Sequence, residues 1–190
     1  MGGRNPAQIL ATKCEGAMRI LRSLPLLLLL TAAFSGETNT WKKYQNKDGN
    51  FSVLFPGDPA DSVNKKDETI SSHTLMAKEN GIVYAVIYTT MSTEQTVSDD
   101  NFKIFRDAVF KQLPKCEVGP EQPVSPSLDG YIGHKYRLNC ATNAPIDMIG
   151  NLYWGKHYAY AVMVMFPAST AEPQAGNTFV ESFSVVDPAK

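Results

Sequence analysis

The sequence predicts an α+β domain in which helices pack on the faces of an antiparallel β-sheet. Strand-like segments dominate and follow one another as hairpins. Two of them, residues 82–90 and 157–166, are apolar at odd and even positions alike, and such strands are covered on both faces. Helical patterns occur at 98–113 and 169–181. A layered α+β domain accounts for these observations, whereas a β-sandwich, the alternative, leaves the central helix without a place.

The N-terminal 35 residues have the order of a secretory signal peptide. A basic segment, 18–22, precedes the apolar residues 24–34, and small residues follow. The apolar run is well short of the roughly 20 residues that span a bilayer, which favours cleavage over the alternative, a membrane anchor. Residues 1–17 fit this pattern poorly and are interpreted as a long leader or as a start assigned upstream of Met18.

The remaining part, residues 36–190, is predicted to be one periplasmic or secreted domain without a stable membrane span. It carries 14 basic and 18 acidic residues, a net charge of −4 with neutral histidines. This balance lacks the basic surface that binding to a phosphate backbone requires, so nucleic acid is excluded as a partner. A chain of this size buries enough surface for one core of its own.

The first predicted strand follows a concentrated turn signal. Residues 41–44 lead into the turn 46–50, the strand 51–55 comes next, and Pro56 ends it because proline has no N–H to donate to a ladder. The next strand pattern, 69–78, precedes the strand 82–90 described above.

The central helix is predicted at 98–113. Ser98 is a favourable N-cap, and Asp99 and Asp100 suit the positive end of the helix dipole. Pro114 stops the helix. The aromatic and aliphatic residues that recur at helical spacing are interpreted as core.

The second half adds further strands and a short helix. Residues 134–140 alternate as a strand at the exposed edge of a sheet does, and 147–154 forms a hairpin with 157–166. Residues 169–172 resemble a capping box that opens the C-terminal helix, and a last strand is predicted at 183–186.

Two cysteines belong to the mature part, Cys116 and Cys140. In an oxidising compartment, two cysteines are most simply explained by a disulfide. The alternatives are two separate buried thiols, or a metal-binding or catalytic thiol.

The sequence holds no complete motif of catalysis or metal binding. Residues 62–65 match S-x-x-K but lack the S-D-N and K-T-G partners of penicillin-binding enzymes, and no G-x-S-x-G elbow presents a serine. His73, His134 and His157 lie on separate predicted strands without the spacing of metal ligands. The sequence therefore predicts no catalytic residue, no metal site and no cofactor.

A candidate partner-binding surface is predicted at the tip of the second hairpin. Tyr153, Trp154, His157 and Tyr158 surround the turn at 155–156. Tyrosine and tryptophan are favoured in recognition because they combine a large apolar area with a polar edge. The alternative is that these rings complete the core.

Four sequence segments occur in an order typical of one group of proteins: GNFSVLFPGDP, LDGYIGHKY, GNLYWGKHYAYAVMVMFP and FVESFSVVDP. Together they resemble small exported bacterial proteins with the PsbP-like fold, over nearly all of the mature chain. The resemblance implies an antiparallel sheet between layers of helices, and a protein that binds other proteins or supports an assembly. Where many relatives have Gly-Tyr-Pro-Gly-Arg, this chain has Ile132 and His134 in place of the proline and the arginine.

The predicted function is that of an exported, non-enzymatic binding or assembly-support module with an unknown protein partner in the cell envelope. The alternative is a small periplasmic hydrolase or another enzyme with an unrecognised site. Convergence of a histidine, a carboxylate and a hydroxyl in a pocket favours the enzyme, and an exposed apolar surface favours the binding module.

Overall fold

The structure is a computed structural model that describes residues 41–65, 70–113 and 115–186, with residues 64, 65 and 70 described by their backbone alone. The predicted signal peptide and the predicted helix stop at Pro114 lie outside these residues. The strands are β1 Trp41–Asn46, β2 Phe51–Pro56, β3 Ala60–Lys65, β4 Ile70–Glu79, β5 Ile82–Met91, β6 Cys116–Val118, β7 Gln122–Pro123, β8 Ile132–Cys140, β9 Ile146–Trp154, β10 Tyr158–Pro167 and β11 Ser184–Val185. The helices are α1 Asp99–Phe110 and α2 Gln174–Glu181.

Most of the strands form one antiparallel sheet of eight. Its order is β3-β4-β5-β10-β9-β8-β6, and β7 also pairs with β8. The hairpin predicted around residues 155–156 is β9–β10, in which Ala159 pairs with Trp154. With its two helices, this mainly antiparallel chain confirms the predicted α+β class.

A second, smaller sheet was not predicted from the sequence. It has the order β1-β2-β11, so the first and last strands of the described chain belong to it. Ser52 in β2 pairs with Ser184 in β11, and the amide of Leu54 donates to Ser182 Oγ at 2.9 Å. A pairing between residues so far apart in sequence leaves no local signal, because the sequence of each strand does not indicate which strand it pairs with.

Strand β10 is buried on both faces over most of its length, as its apolar character predicts. Strand β5 is buried on one face at Tyr84, Val86 and Tyr88, whereas on the other face Ala85 is buried and Val83 and Ile87 are partly exposed. Val86 pairs with Val162, and neither side chain has any exposure. Alternate residues of β10 enter two different core clusters: Tyr160, Val162 and Val164 enter one, and Ala159, Ala161 and Met163 enter the other.

We call the first cluster the aromatic core. Its buried rings come from both sheets and from α2: Phe51, Phe55, Tyr84, Tyr88, Tyr153, Tyr160, Phe166, Phe179 and Phe183. The second cluster, the α1 core, contains Phe102 and Val109 of α1 together with Leu152 and Trp154 of β9. Each helix therefore contributes to a different core.

Two local predictions are wrong. Strand β8 is not an edge, because β9 pairs with it on one side and the short β6 and β7 pair with it on the other. The expected capping box does not open α2, since that helix begins at Gln174 with Pro173 at its N-cap and no side-chain cap. Glu172 instead forms an ion pair with Arg137 and accepts a hydrogen bond from Asn177 at 2.8 Å. Tertiary partners thus replace the local contact.

The start of α1 agrees with the sequence. Ser98 is extended, as an N-cap should be, and its Oγ accepts from the amide of Asn101 at 3.3 Å. Neither α1 nor α2 combines the length and the apolar character that a bilayer span demands.

Candidate functional site

The four side chains of the predicted partner-binding surface at the hairpin tip differ in burial. Tyr153 and Trp154 are each only 2% exposed, and they belong to the aromatic core and the α1 core respectively. His157 and Tyr158 are partly exposed. The rings of Tyr153 and Trp154 are therefore not presented to a partner by the folded domain, and their burial supports the alternative that they complete the core.

The tip is also held by the segment that leads from β5 to α1. The indole N–H of Trp154 donates to the carbonyl of Thr96 at 3.1 Å. The amides of Gln95 and Met91 donate to the carbonyls of Lys156 and His157, at 2.8 and 2.9 Å. These contacts make the tip a junction within the fold.

Cys116 and Cys140 form the predicted disulfide, with their sulfur atoms 1.98 Å apart. They are directly opposite each other in the pairing of β6 with β8. Cys140 is buried in the α1 core, as its inward position on the alternating strand indicates. The bond ties the short β6 to the sheet.

His73 lies in β4, His134 in β8, and His157 directly before β10. Among the residues that the structure describes, no group of three or more His, Cys, Asp or Glu side chains is placed to hold a metal ion. His157 Nδ1 is 3.4 Å from the carbonyl of Met91. His134 and His73 each belong to a polar cluster of their own.

The cluster around His134 joins α1 to β8. Glu121 Oε2 is 2.7 Å from Arg106 Nη1, and Glu121 Oε1 is 2.7 Å from His134 Nδ1, a close contact without the alignment of a hydrogen bond. Burial disfavours the charge of Arg106, but hydrogen bonds to Asp107 and Glu121 offset it and raise the pKa of the guanidinium. Glu121 thus links α1 to β8, with one carboxylate oxygen near Arg106 and the other near His134.

The cluster around His73 has a different geometry, and we call Asp61, Ser71 and His73 the edge cluster. Ser71 Oγ is 3.0 Å from His73 Nε2. The other ring nitrogen, Nδ1, is 3.9 Å from Asp61 Oδ1, buried, and without a hydrogen-bond partner. The edge cluster thus brings together a hydroxyl, an imidazole and a carboxylate in that order.

Packing fixes the orientation of the imidazole. The His73 ring stacks on Tyr88 with centroids 4.6 Å apart and planes 8° from parallel. Tyr88 belongs to the aromatic core and is 1% exposed. Burial raises the pKa of Tyr88 to about 12, with the nearby charge of Asp61 adding to the effect. The ring beneath His73 is therefore neutral and rigidly held.

Sequence reasoning missed the edge cluster, although part of its signal is local. Ser71 and His73 are two apart on β4 and so point to the same face of the strand. Asp61 comes from β3, where it pairs with Leu75, diagonally next to His73. A Ser-x-His pattern on a strand could have been noted, but the third member depends on register between strands.

The strand β3 that supplies Asp61 ends the eight-stranded sheet. Its four described side chains, those of residues 60–63, are all exposed. Val63 is 53% exposed, the highest value for a large apolar side chain in the described part of the chain. An edge strand of this kind has main-chain donors and acceptors available on its outer side.

Comparison with known proteins gives no assignment. No family model matches this chain, and no curated protein matches it.

Proposed function

We propose that the protein is an exported binding or assembly-support module that receives an extended segment of a protein partner along β3. The observation that carries the proposal is the open outer side of β3 with Val63 exposed in its middle. Addition of a strand to a sheet edge supplies affinity through main-chain hydrogen bonds and specificity through alternate side chains.

The opposite edge of the same sheet is far less suited to this mode. There β6 has three residues and is closed by the disulfide, and β7 has two residues, one of which is Pro123. Short strands and proline are features that block pairing with another chain. Strand β3 has six residues and contains no proline.

The chemistry of β3 indicates what the partner segment presents. Val63 favours an apolar side chain opposite or diagonal to it, and the exposed carboxylate of Asp61 favours a basic residue nearby. Asp61 and Val63 are two apart on β3 and so point to the same face. The partner is thus an extended polypeptide with a basic and an apolar residue two positions apart, on one face of the added strand.

The proposal includes the PsbP-like layering implied by the resemblance, with helices on both faces of the large sheet. Phe179 of α2 and Phe102 of α1 belong to different cores, and alternate residues of β10 enter those cores. Since successive residues of a strand point to opposite faces, these contacts support one helix on each face.

Export is also part of the proposal. The signal-like N-terminus supports it, and the disulfide is compatible with an oxidising compartment. Exported protein should begin near Gly36 on N-terminal sequencing. Recovery of soluble cytoplasmic protein with Met1 intact would contradict export.

The binding proposal is tested by comparing two variants of the tagged exported protein. Val63→Lys places a charge at the open edge, and Ile104→Lys makes the same change at a side chain of α1 that is 37% exposed. Partner recovery from envelope extract should be lost with Val63→Lys and retained with Ile104→Lys. Hydrogen exchange of the amides of β3 should slow when the recovered partner is added back.

Equal recovery with both variants, or unchanged exchange in β3, would refute this binding mode. A concentration-dependent dimer that Val63→Lys abolishes would show that a second copy of the chain occupies the edge.

A further inference from the structure

We propose that the edge cluster is a serine-nucleophile site that hydrolyses small carboxylic esters. Ser71 is the nucleophile, His73 the general base and acid, and Asp61 the charge that stabilises the protonated ring. This activity goes beyond the binding function proposed above and does not rest on it.

The contact between Ser71 and His73 has the polarity that such chemistry requires. At 3.0 Å, the hydroxyl of Ser71 can donate to Nε2, which leaves the proton of the ring on Nδ1. Nucleophile and base are therefore within hydrogen-bond reach of each other before any substrate arrives.

The second requirement is stabilisation of the protonated His73 ring, and it depends on the other ring nitrogen, Nδ1. Nδ1 of His73 is buried without a hydrogen-bond partner, and the nearest charge is Asp61 Oδ1 at 3.9 Å. When Nε2 takes a proton, the ring becomes a cation, and a carboxylate at this distance lowers its free energy. An uncharged ring gains much less from Asp61, so the carboxylate acts when the proton is transferred.

Preorganisation comes from the core. The stack on Tyr88 restricts rotation of the His73 ring, and Tyr88 is itself fixed by burial and by an edge contact with Phe51. A base held in one orientation loses little conformational freedom in the reaction.

The reaction balances with water as the second reactant. Oγ of Ser71 bonds to the acyl carbon of an ester while its proton passes to Nε2 of His73. The bond from the acyl carbon to the alcohol oxygen then breaks, and the alcohol leaves with that proton. Water attacks the acyl-serine by the same route, which releases a carboxylic acid and restores the Ser71 hydroxyl.

The side-chain exposures indicate the class of substrate. Asp61 is 44% exposed and His73 is 17% exposed, and Ser71 is partly exposed on the same strand face as His73. The proposed substrate therefore approaches from solvent at the edge of the sheet, and we take it to be a small or flexible ester.

The experiment uses the purified exported protein, an alkyl fluorophosphonate and p-nitrophenyl acetate. One phosphonyl group should be added per chain, on the peptide that contains Ser71, and the acetate should be hydrolysed catalytically. Ser71→Ala should abolish both. His73→Gln should lower both rates by at least about 100-fold, and Asp61→Asn by about tenfold, since that carboxylate acts by charge at 3.9 Å.

Ser92→Ala is the matched control, because Ser92 is an exposed serine outside both the edge cluster and β3. It should leave labelling and hydrolysis unchanged. Melting temperatures of all variants report whether each one folds. Absence of labelling in the wild-type protein, or equal rates in folded Ser71→Ala, would overturn the proposal. Neither result would affect binding along β3, which is measured with Val63→Lys.

Discussion

The ring of Tyr153 lies across Gly133, its direct neighbour in the pairing of β9 with β8. A Cβ added at Gly133 would be 2.6 Å from Cδ1 of that ring. The ring also stacks on Phe183 with centroids 5.3 Å apart, and its hydroxyl accepts from Asn151 at 2.9 Å. The glycine is therefore needed for the position of the ring.

Gly133→Ala should destabilise the domain by about 1–3 kcal/mol, because the added methyl group displaces a ring that is packed on both sides. Urea unfolding measures the change. In a Tyr153→Val background the same substitution should cost clearly less, since the clash is gone. An equal cost in both backgrounds would show that the ring is not the cause.

Val86→Asp should cost several kcal/mol of stability, because Val86 has no exposure and a carboxylate there has no partner. Val63→Asp is the control at an exposed valine and should change stability by less than about 0.5 kcal/mol. Thermal or urea unfolding of both variants decides the matter. If Val86→Asp melted like the wild type, the burial of β5 at this position would be wrong.

Trp154→Ala should cost about 3–5 kcal/mol, since it empties a large volume in the α1 core and removes the hydrogen bond to Thr96. Tyr158→Ala, at a partly exposed ring on the same hairpin, should cost less. Full stability of Trp154→Ala together with loss of a partner would instead restore the hairpin tip as a binding surface.

Exported protein treated with an alkylating agent without reduction should show no added mass, because Cys116 and Cys140 are joined. Replacing both by serine should lower stability by about 3 kcal/mol, the chain-entropy contribution of a loop of this length. Two alkylated cysteines in the unreduced native protein would contradict the pairing.

Stability should fall steeply between pH 10 and pH 12. Burial raises the pKa of Tyr84 and Tyr88 from 10.0 to about 12, so both phenols stay neutral in the folded state where the unfolded chain has already lost their protons. Their contribution is fully present below pH 10 and disappears as pH rises through 12. Urea unfolding across this range measures the loss, and absorbance at 295 nm should show the two phenols ionising together with unfolding.

Local chemistry made several elements predictable from the sequence. The apolar run at 82–90 corresponds to β5 because a strand covered on both faces needs apolar residues at every position. Ser98 and the following aspartates located the start of α1 because capping depends on neighbouring residues alone.

Features that depend on distant partners were not predictable in this way. The edge cluster requires the register that sets Asp61 diagonally next to His73, and the small sheet requires β2 to meet β11. Glu172, expected in a capping box, forms an ion pair with Arg137 instead. In each case the contact joins two segments whose sequences do not indicate that they meet in the fold.

The pairing of β2 with β11 makes the aromatic core a non-local structure. Phe51 packs against Phe183, and Phe55 packs against Phe179. Each of these contacts joins residues more than 120 positions apart in sequence. Because such long loops must close before the rings can pack, we expect the domain to fold slowly compared with one held together by local contacts.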